Sequence, residues 1–139
     1  MNPDSEIIED LGSNVKLIRR HNGRVVGFEL RSMSREAIDT WAATVMAENR
    51  KWPKDQIFLV MHDFEGQGMT PYSRRRAEEI NAAAPDYLFG RAAIVLPSGL
   101  MGTAIKAFAQ LSFFRTKGRV EGKFFSDSES ALAWLEERL

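Results

Sequence analysis

"QIFLVMHDFEGQGMTPYSRRR", residues 56–76, decides how the chain is read. Ile57 to Met61 is apolar without alternation, which suits a central parallel strand covered on both faces. Thr70 before Pro71 makes an N-cap and first-turn pair, so a helix opens there and runs to about Ala84. Between them, Asp63-Phe64-Glu65-Gly66-Gln67-Gly68 is either a plain strand–helix joint or a loop with chemistry of its own. A strand feeding a helix is half of a βαβ unit, and the rest of the chain repeats the pattern.

Upstream, "NVKLIRRHNGRVVGFELR" reads as two extended runs around His21-Asn22-Gly23-Arg24. Asn-Gly tolerates the positive φ angles of a type I′ turn, so a hairpin is expected. Ser34 caps a helix carrying Ile38, Trp41, Ala42, Val45 and Met46 at helical spacing, and Pro53 ends it. Downstream, Pro85 leads into a second buried strand, Ala92 to Leu96. Pro97-Ser98-Gly99 then turns into a long apolar helix, about 99–115, with Ser98 as its cap. "RVEGKFF" makes a last strand, and Ser126-Asp127-Ser128-Glu129 fits a capping box for a final helix. Residues 1–13, acidic and polar, read as a loose arm. The order is β-β-α-β-α-β-α-β-α in one domain spanning 1–139. It implies an α/β fold with a five-stranded, mostly parallel sheet and an N-terminal β-hairpin.

Nineteen basic and nineteen acidic residues cancel, so no global field draws the chain to nucleic acid. There is no cysteine, which removes disulfides, thiolate metal sites and a cysteine nucleophile. No apolar run approaches a membrane span, and the acidic N-terminus lacks the features of a secretory signal. A cytoplasmic protein without a transmembrane segment is expected.

Chemistry in the joint can be tested residue by residue. Gly66-Gln67-Gly68 has the context of a dinucleotide fingerprint, but Pro71 stands where the third glycine is needed. Arg74, Arg75 and Arg76 could hold an anion at the helix start, yet Arg74 can pair with Glu78 and Arg75 with Glu79 at i, i+4. His62 and Asp63 point to opposite faces of a strand and cannot easily share a metal ion. Asp63 and Glu65 share a face, and such a pair can do acid–base work or simply accept hydrogen bonds in the turn. Ser98 lacks the GxSxG setting of a hydrolase nucleophile. No cofactor or metal is expected.

From Asp63-Phe64-Glu65-Gly66 after the central strand to the terminal Ala131-Leu132-Ala133-Trp134-Leu135, the chain resembles the SpoIIAA-like family, relatives of the STAS domain of anti-sigma-factor antagonists. The resemblance covers roughly residues 14 to 138 in element order. It implies a right-handed βα superhelix and a regulatory module working through protein partners. Antagonists of that family carry an Asp-Ser-Ser-Gly-like turn with a phosphorylated serine. Here Thr70 and Ser73 are the nearest hydroxyls, and neither sits in that motif. A fold link to SEC14-type domains adds a possible role with an apolar small molecule or lipid.

Right-handed winding puts the crossover helices on one face of the sheet, while Ile57–Met61 and Ala92–Leu96 are apolar on both faces. Something must cover the second face: the N-terminal arm, a partner subunit or an apolar ligand. The 99–115 helix, wide in its apolar surface, either forms core under the 128–138 helix or adds to a binding surface. Three functional readings stand. The leading one is a non-enzymatic STAS-like module binding a protein partner or a second copy. Its surface would be Asp63, Glu65, Gly66, Gly68, Thr70, Tyr72, Ser73 and Arg74 with Ser98 and Gly99. The second is a carrier of an apolar ligand or binder of membrane surfaces through Phe108, Phe113 and Phe114. The third is an enzyme using Asp63 and Glu65.

Overall fold

The computed structural model describes residues 6–64, 70–100 and 119–139. Six strands form one mixed sheet in sequential order: β1 (Ile7–Gly12), β2 (Val15–Arg20), β3 (Val25–Leu30), β4 (Phe58–Asp63), β5 (Gly90–Val95) and β6 (Val120–Phe125). β1, β2 and β3 are antiparallel neighbours, and β3 to β6 run parallel. Three helices are described: α1 (Arg35–Lys51), α2 (Pro71–Ala83) and α3 (Ser128–Glu136). The α/β class and the N-terminal hairpin are as expected.

The expected five strands are six. Residues 7–12 of the supposed arm pair antiparallel with β2 through the two-residue turn Ser13-Asn14. Ser13 and Asn14 have φ of 55° and 65°, the left-handed geometry of a tight hairpin. At the second hairpin the left-handed run begins one residue before the expected Asn-Gly, with His21, Asn22 and Gly23 all at positive φ. The Gly23 N–H donates to the Arg20 carbonyl at 3.1 Å.

β4 joins α2 where the opening stretch places the joint. Thr70 is the N-cap and Pro71 opens the helix. Thr70 Oγ1 accepts from the Ser73 N–H, and Ser73 Oγ accepts from the Thr70 N–H, a reciprocal capping box. Ser34 caps α1 by accepting from the Ala37 N–H. At α3 the cap is Asp127 rather than Ser126, with Asp127 Oδ1 accepting from the Ser130 N–H at 2.7 Å. The short carboxylate reaches the third amide of the helix, which leaves the serine one place outside it. β5 starts two residues earlier than expected, at Gly90. There a Cβ would lie 2.0 Å from the Phe58 carbonyl oxygen, so only glycine lets the two strands approach. Ser98–Leu100 forms a short 3₁₀ turn. The remainder of the expected 99–115 helix lies outside the described residues.

Strand alternation sorts the core into two layers. Val26, Phe28, Val60, Phe64, Ile94 and Leu96 pack against α1 and α2 on one face. Val25, Leu59, Met61, Ala93 and Val95 pack against Ala131, Trp134 and Leu135 of α3 on the other. Two successive crossovers that step the same way and share one hand put both helices on one face, and α1 and α2 do lie side by side. The second face is therefore covered from within the chain. α3 follows the last strand, is bound to no return crossover, and is free to fold under the sheet.

Candidate functional site

At the carboxyl ends of the parallel strands, four residues of the expected working surface, Asp63, Thr70, Tyr72 and Ser73, already have partners within the chain. Asp63 is buried, and its carboxylate receives Arg31 Nη2 at 3.1 Å while Arg31 Nη1 donates to the Asp63 carbonyl. Arg31 also meets Glu29 at 3.3 Å. Ser73 is 1% exposed and its hydroxyl is occupied in the α2 cap, as is that of Thr70. Tyr72 donates its hydroxyl to Asp39 of α1, and Arg35 lies 4.4 Å from its ring centroid. The bond to Asp39 holds the Tyr72 phenol above its ordinary pKa. The ion pairs of α2 run through Arg76, to Glu79 and to Asp39, rather than through the expected Arg74–Glu78 and Arg75–Glu79. Arg74, Ser98 and Gly99 are exposed. Glu65, Gly66, Gly68, Phe108, Phe113 and Phe114 lie outside the described residues, so the expected Asp63–Glu65 pair is described only at its Asp63 end. Among the described residues no cluster of histidine and carboxylates could hold a metal ion.

His62 belongs to the core and not to that surface. Its ring stacks on Phe28 at 5.5 Å and meets Trp41 edge-on at 5.6 Å. Trp41 Nε1 donates to His62 Nδ1 at 3.1 Å. An indole N–H can only donate, so Nδ1 is the bare nitrogen and the proton of the neutral ring sits on Nε2. Burial lowers the His62 pKa to about 3, and the ring is neutral at physiological pH.

A feature with ligand-like geometry lies at the other end of the sheet. A pocket of about 240 Å³ opens between the C-terminal halves of α1 and α2 and the first residues of β4, β5 and β6. Val45, Phe58, Ile80, Leu88, Ala92 and Val120 supply apolar wall. Asn49, Asn81, His62 and Asp86 supply the polar groups among the described residues. Asn49 is 5% exposed, and Asn81 Oδ1 is shielded from solvent with no hydrogen-bond partner. The two asparagines hold equivalent places, each three residues before its helix's C-cap. Their carbonyls accept the cap N–H groups of Trp52 and Ala84 at 3.3 Å. A second depression, of about 270 Å³, is lined by Arg19, Glu48 and Lys51. Those charges are spent on each other: Glu48 meets Arg19 at 2.6 Å and Lys51 at 3.2 Å. Burial acts to raise the Glu48 pKa, but the two cations outweigh it and hold the carboxyl below its ordinary value.

Neither asparagine was singled out by the sequence reading, although both leave a trace there. Asn49 continues the Ile38–Trp41–Ala42–Val45 stripe at i+4, and Asn81 stands four residues after Ala77. A carboxamide on the buried stripe of an amphipathic helix needs a partner inside the fold.

No protein-family model matches the chain, and no curated protein or solved structure matches it either.

Proposed function

We propose that the chain is a non-enzymatic, STAS-like binding module whose working site is the pocket between α1, α2 and the amino ends of β4–β6. The observation that carries this is the pocket itself: mostly apolar wall with a few inward polar groups, the usual make-up of a small-molecule site. The STAS-like part, with its right-handed superhelix, is supported by the sequential strand order β3-β4-β5-β6 and by α1 and α2 sharing a face. α3 occupies the second sheet face, which the sequence leaves to the N-terminal arm, a partner subunit or an apolar ligand, so the ligand reading rests on the pocket alone. Native mass spectrometry before and after denaturation tests the reading. A small mass released on unfolding is the expected result. A bare chain whose methyl resonances at Val45, Ile80, Leu88 and Val120 stay unmoved by a library of small molecules overturns it.

One observation favours a second reading, a homodimer or protein complex. β1 is an edge strand with Ile7 and Ile8 55% and 56% exposed, and unpaired edges with apolar side chains invite pairing. A dimer in the same spectrum that Ile8→Lys dissociates would support it.

A further inference from the structure

β1 stands at one end of the strand order, and Ile7, Ile8, Glu9 and Asp10 are all exposed. Resting on the second reading above, we propose that this strand docks an extended segment of another protein, one that carries two basic residues followed by two apolar ones. Both ends of the strand are pinned in place. Glu6 meets Arg20 Nε at 3.1 Å, and Leu11 packs on the core. From Ile7 to Asp10 the pairing with β2 is regular, and its irregularity begins only after Asp10. A strand at the end of a sheet captures a guest by main-chain hydrogen bonds, and its side chains set which guest is taken.

The register turns these residues into a pattern. Ile7 lies opposite Arg19, Ile8 opposite Ile18, Glu9 opposite Leu17 and Asp10 opposite Lys16. Successive side chains alternate between the sheet faces, so each face offers a guest one isoleucine and one carboxylate. A guest that continues the antiparallel order meets Asp10, Glu9, Ile8 and Ile7 in that sequence. Opposite charges and apolar pairs set directly across from each other stabilise a ladder. The guest therefore reads basic, basic, apolar, apolar.

A second copy of β1 fits this edge less well. In antiparallel self-pairing, the register that sets Ile8 on Ile8 opposes Glu6 to Asp10. Shifted by one residue, Ile7 meets Ile8 and Glu6 opposes Glu9. Shifted once more, Ile7 meets Ile7, but Glu6 opposes Ile8. Like charges directly opposed destabilise a strand pair, and a basic guest replaces that repulsion with attraction.

The test is an amide NMR titration of the full chain with three capped peptides: Ser-Arg-Arg-Val-Val-Thr, its charge reversal Ser-Glu-Glu-Val-Val-Thr, and its transposed form Ser-Val-Val-Arg-Arg-Thr. The first should shift the amides from Ile7 to Asp10 and weaken as salt is raised. It should bind at least about tenfold more tightly than the charge reversal. Glu9→Lys combined with Asp10→Lys should invert that preference. Both positions are exposed, so the fold is kept, and circular dichroism checks it. Equal binding of the first two peptides, shifts centred away from β1, or preference for the transposed form would overturn the proposed guest. A dimer that Ile8→Lys dissociates, with no response to any peptide, would overturn the guest and leave the association reading standing. A monomer whose β1 amides stay unmoved by all three would overturn both.

Discussion

His62 shows how burial silences a titratable group. Its ring accepts from Trp41 and lies between Phe28 and Phe64, so protonation would place a charge in the desolvated core. The unfolded chain takes up that proton near the ordinary histidine pKa, while the folded chain resists until about pH 3. Below pH 6.5 the unfolded state therefore binds more protons, and stability falls as the pH drops, by up to about 1.4 kcal/mol per pH unit. Urea titrations of His62→Gln, which keeps an acceptor for the indole, should show a shallower loss between pH 6 and pH 4 than the parent. Equal slopes would mean the ring is already charged in the fold. At this scale the caps Ser34 and Thr70 were legible, because a hydroxyl before a helical stripe has few other uses. Asn49 and Asn81 were harder to read, since a polar residue on a stripe is indistinguishable from a solvated one until the facing helix is placed.

β1 is the element with least reason to exist on sequence grounds. Glu9 and Asp10 interrupt its apolar residues, of which only Leu11 packs on the core. What builds it is the turn: Gly12, Ser13 and Asn14 all adopt positive φ, and a tight turn places β1 in register with an existing strand. Arg20 Nε holds the near end through Glu6 at 3.1 Å. Because β1 buries little, removing residues 1–12 should lower the melting temperature by only a few degrees and leave unfolding cooperative. Loss of the cooperative transition on differential scanning calorimetry would show that β1 carries more of the fold than its burial implies. α2, in contrast, was readable end to end, since Thr70-Pro71 opens it and Pro85 follows its close.

For the molecule as a whole, α3 is the part on which cover of the second sheet face depends. Trp134 packs on Phe125, with the Arg91 guanidinium 4.6 Å from its ring centroid. Arg91 also donates to the Trp134 carbonyl at 2.6 Å, and His21 Nε2 meets Glu136 at 2.7 Å, tying the second hairpin to the C-terminal helix. Leu135 is fully buried against the second face, so Leu135→Ala should cost about 2–5 kcal/mol. It should also raise binding of a hydrophobic dye, as Leu59, Met61 and Val95 lose their cover. A cost below about 1 kcal/mol in chemical denaturation would mean that something else shields that face.

The alternation of apolar and polar residues, the caps and the prolines decided the element types and their order, because those signals act within a few residues of chain. The continuous runs at Ile57–Met61 and Ala92–Leu96 even announced that both sheet faces would be covered. Which element does the covering was not written locally, because burial is a relation between segments far apart in the chain. α3, with 9 residues, reads as an ordinary amphipathic helix whether it joins α1 and α2 or folds beneath the sheet. The same holds for the pocket. Its walls come from the ends of two helices and the starts of three strands, and only packing brings Asn49, Asn81 and His62 to one void.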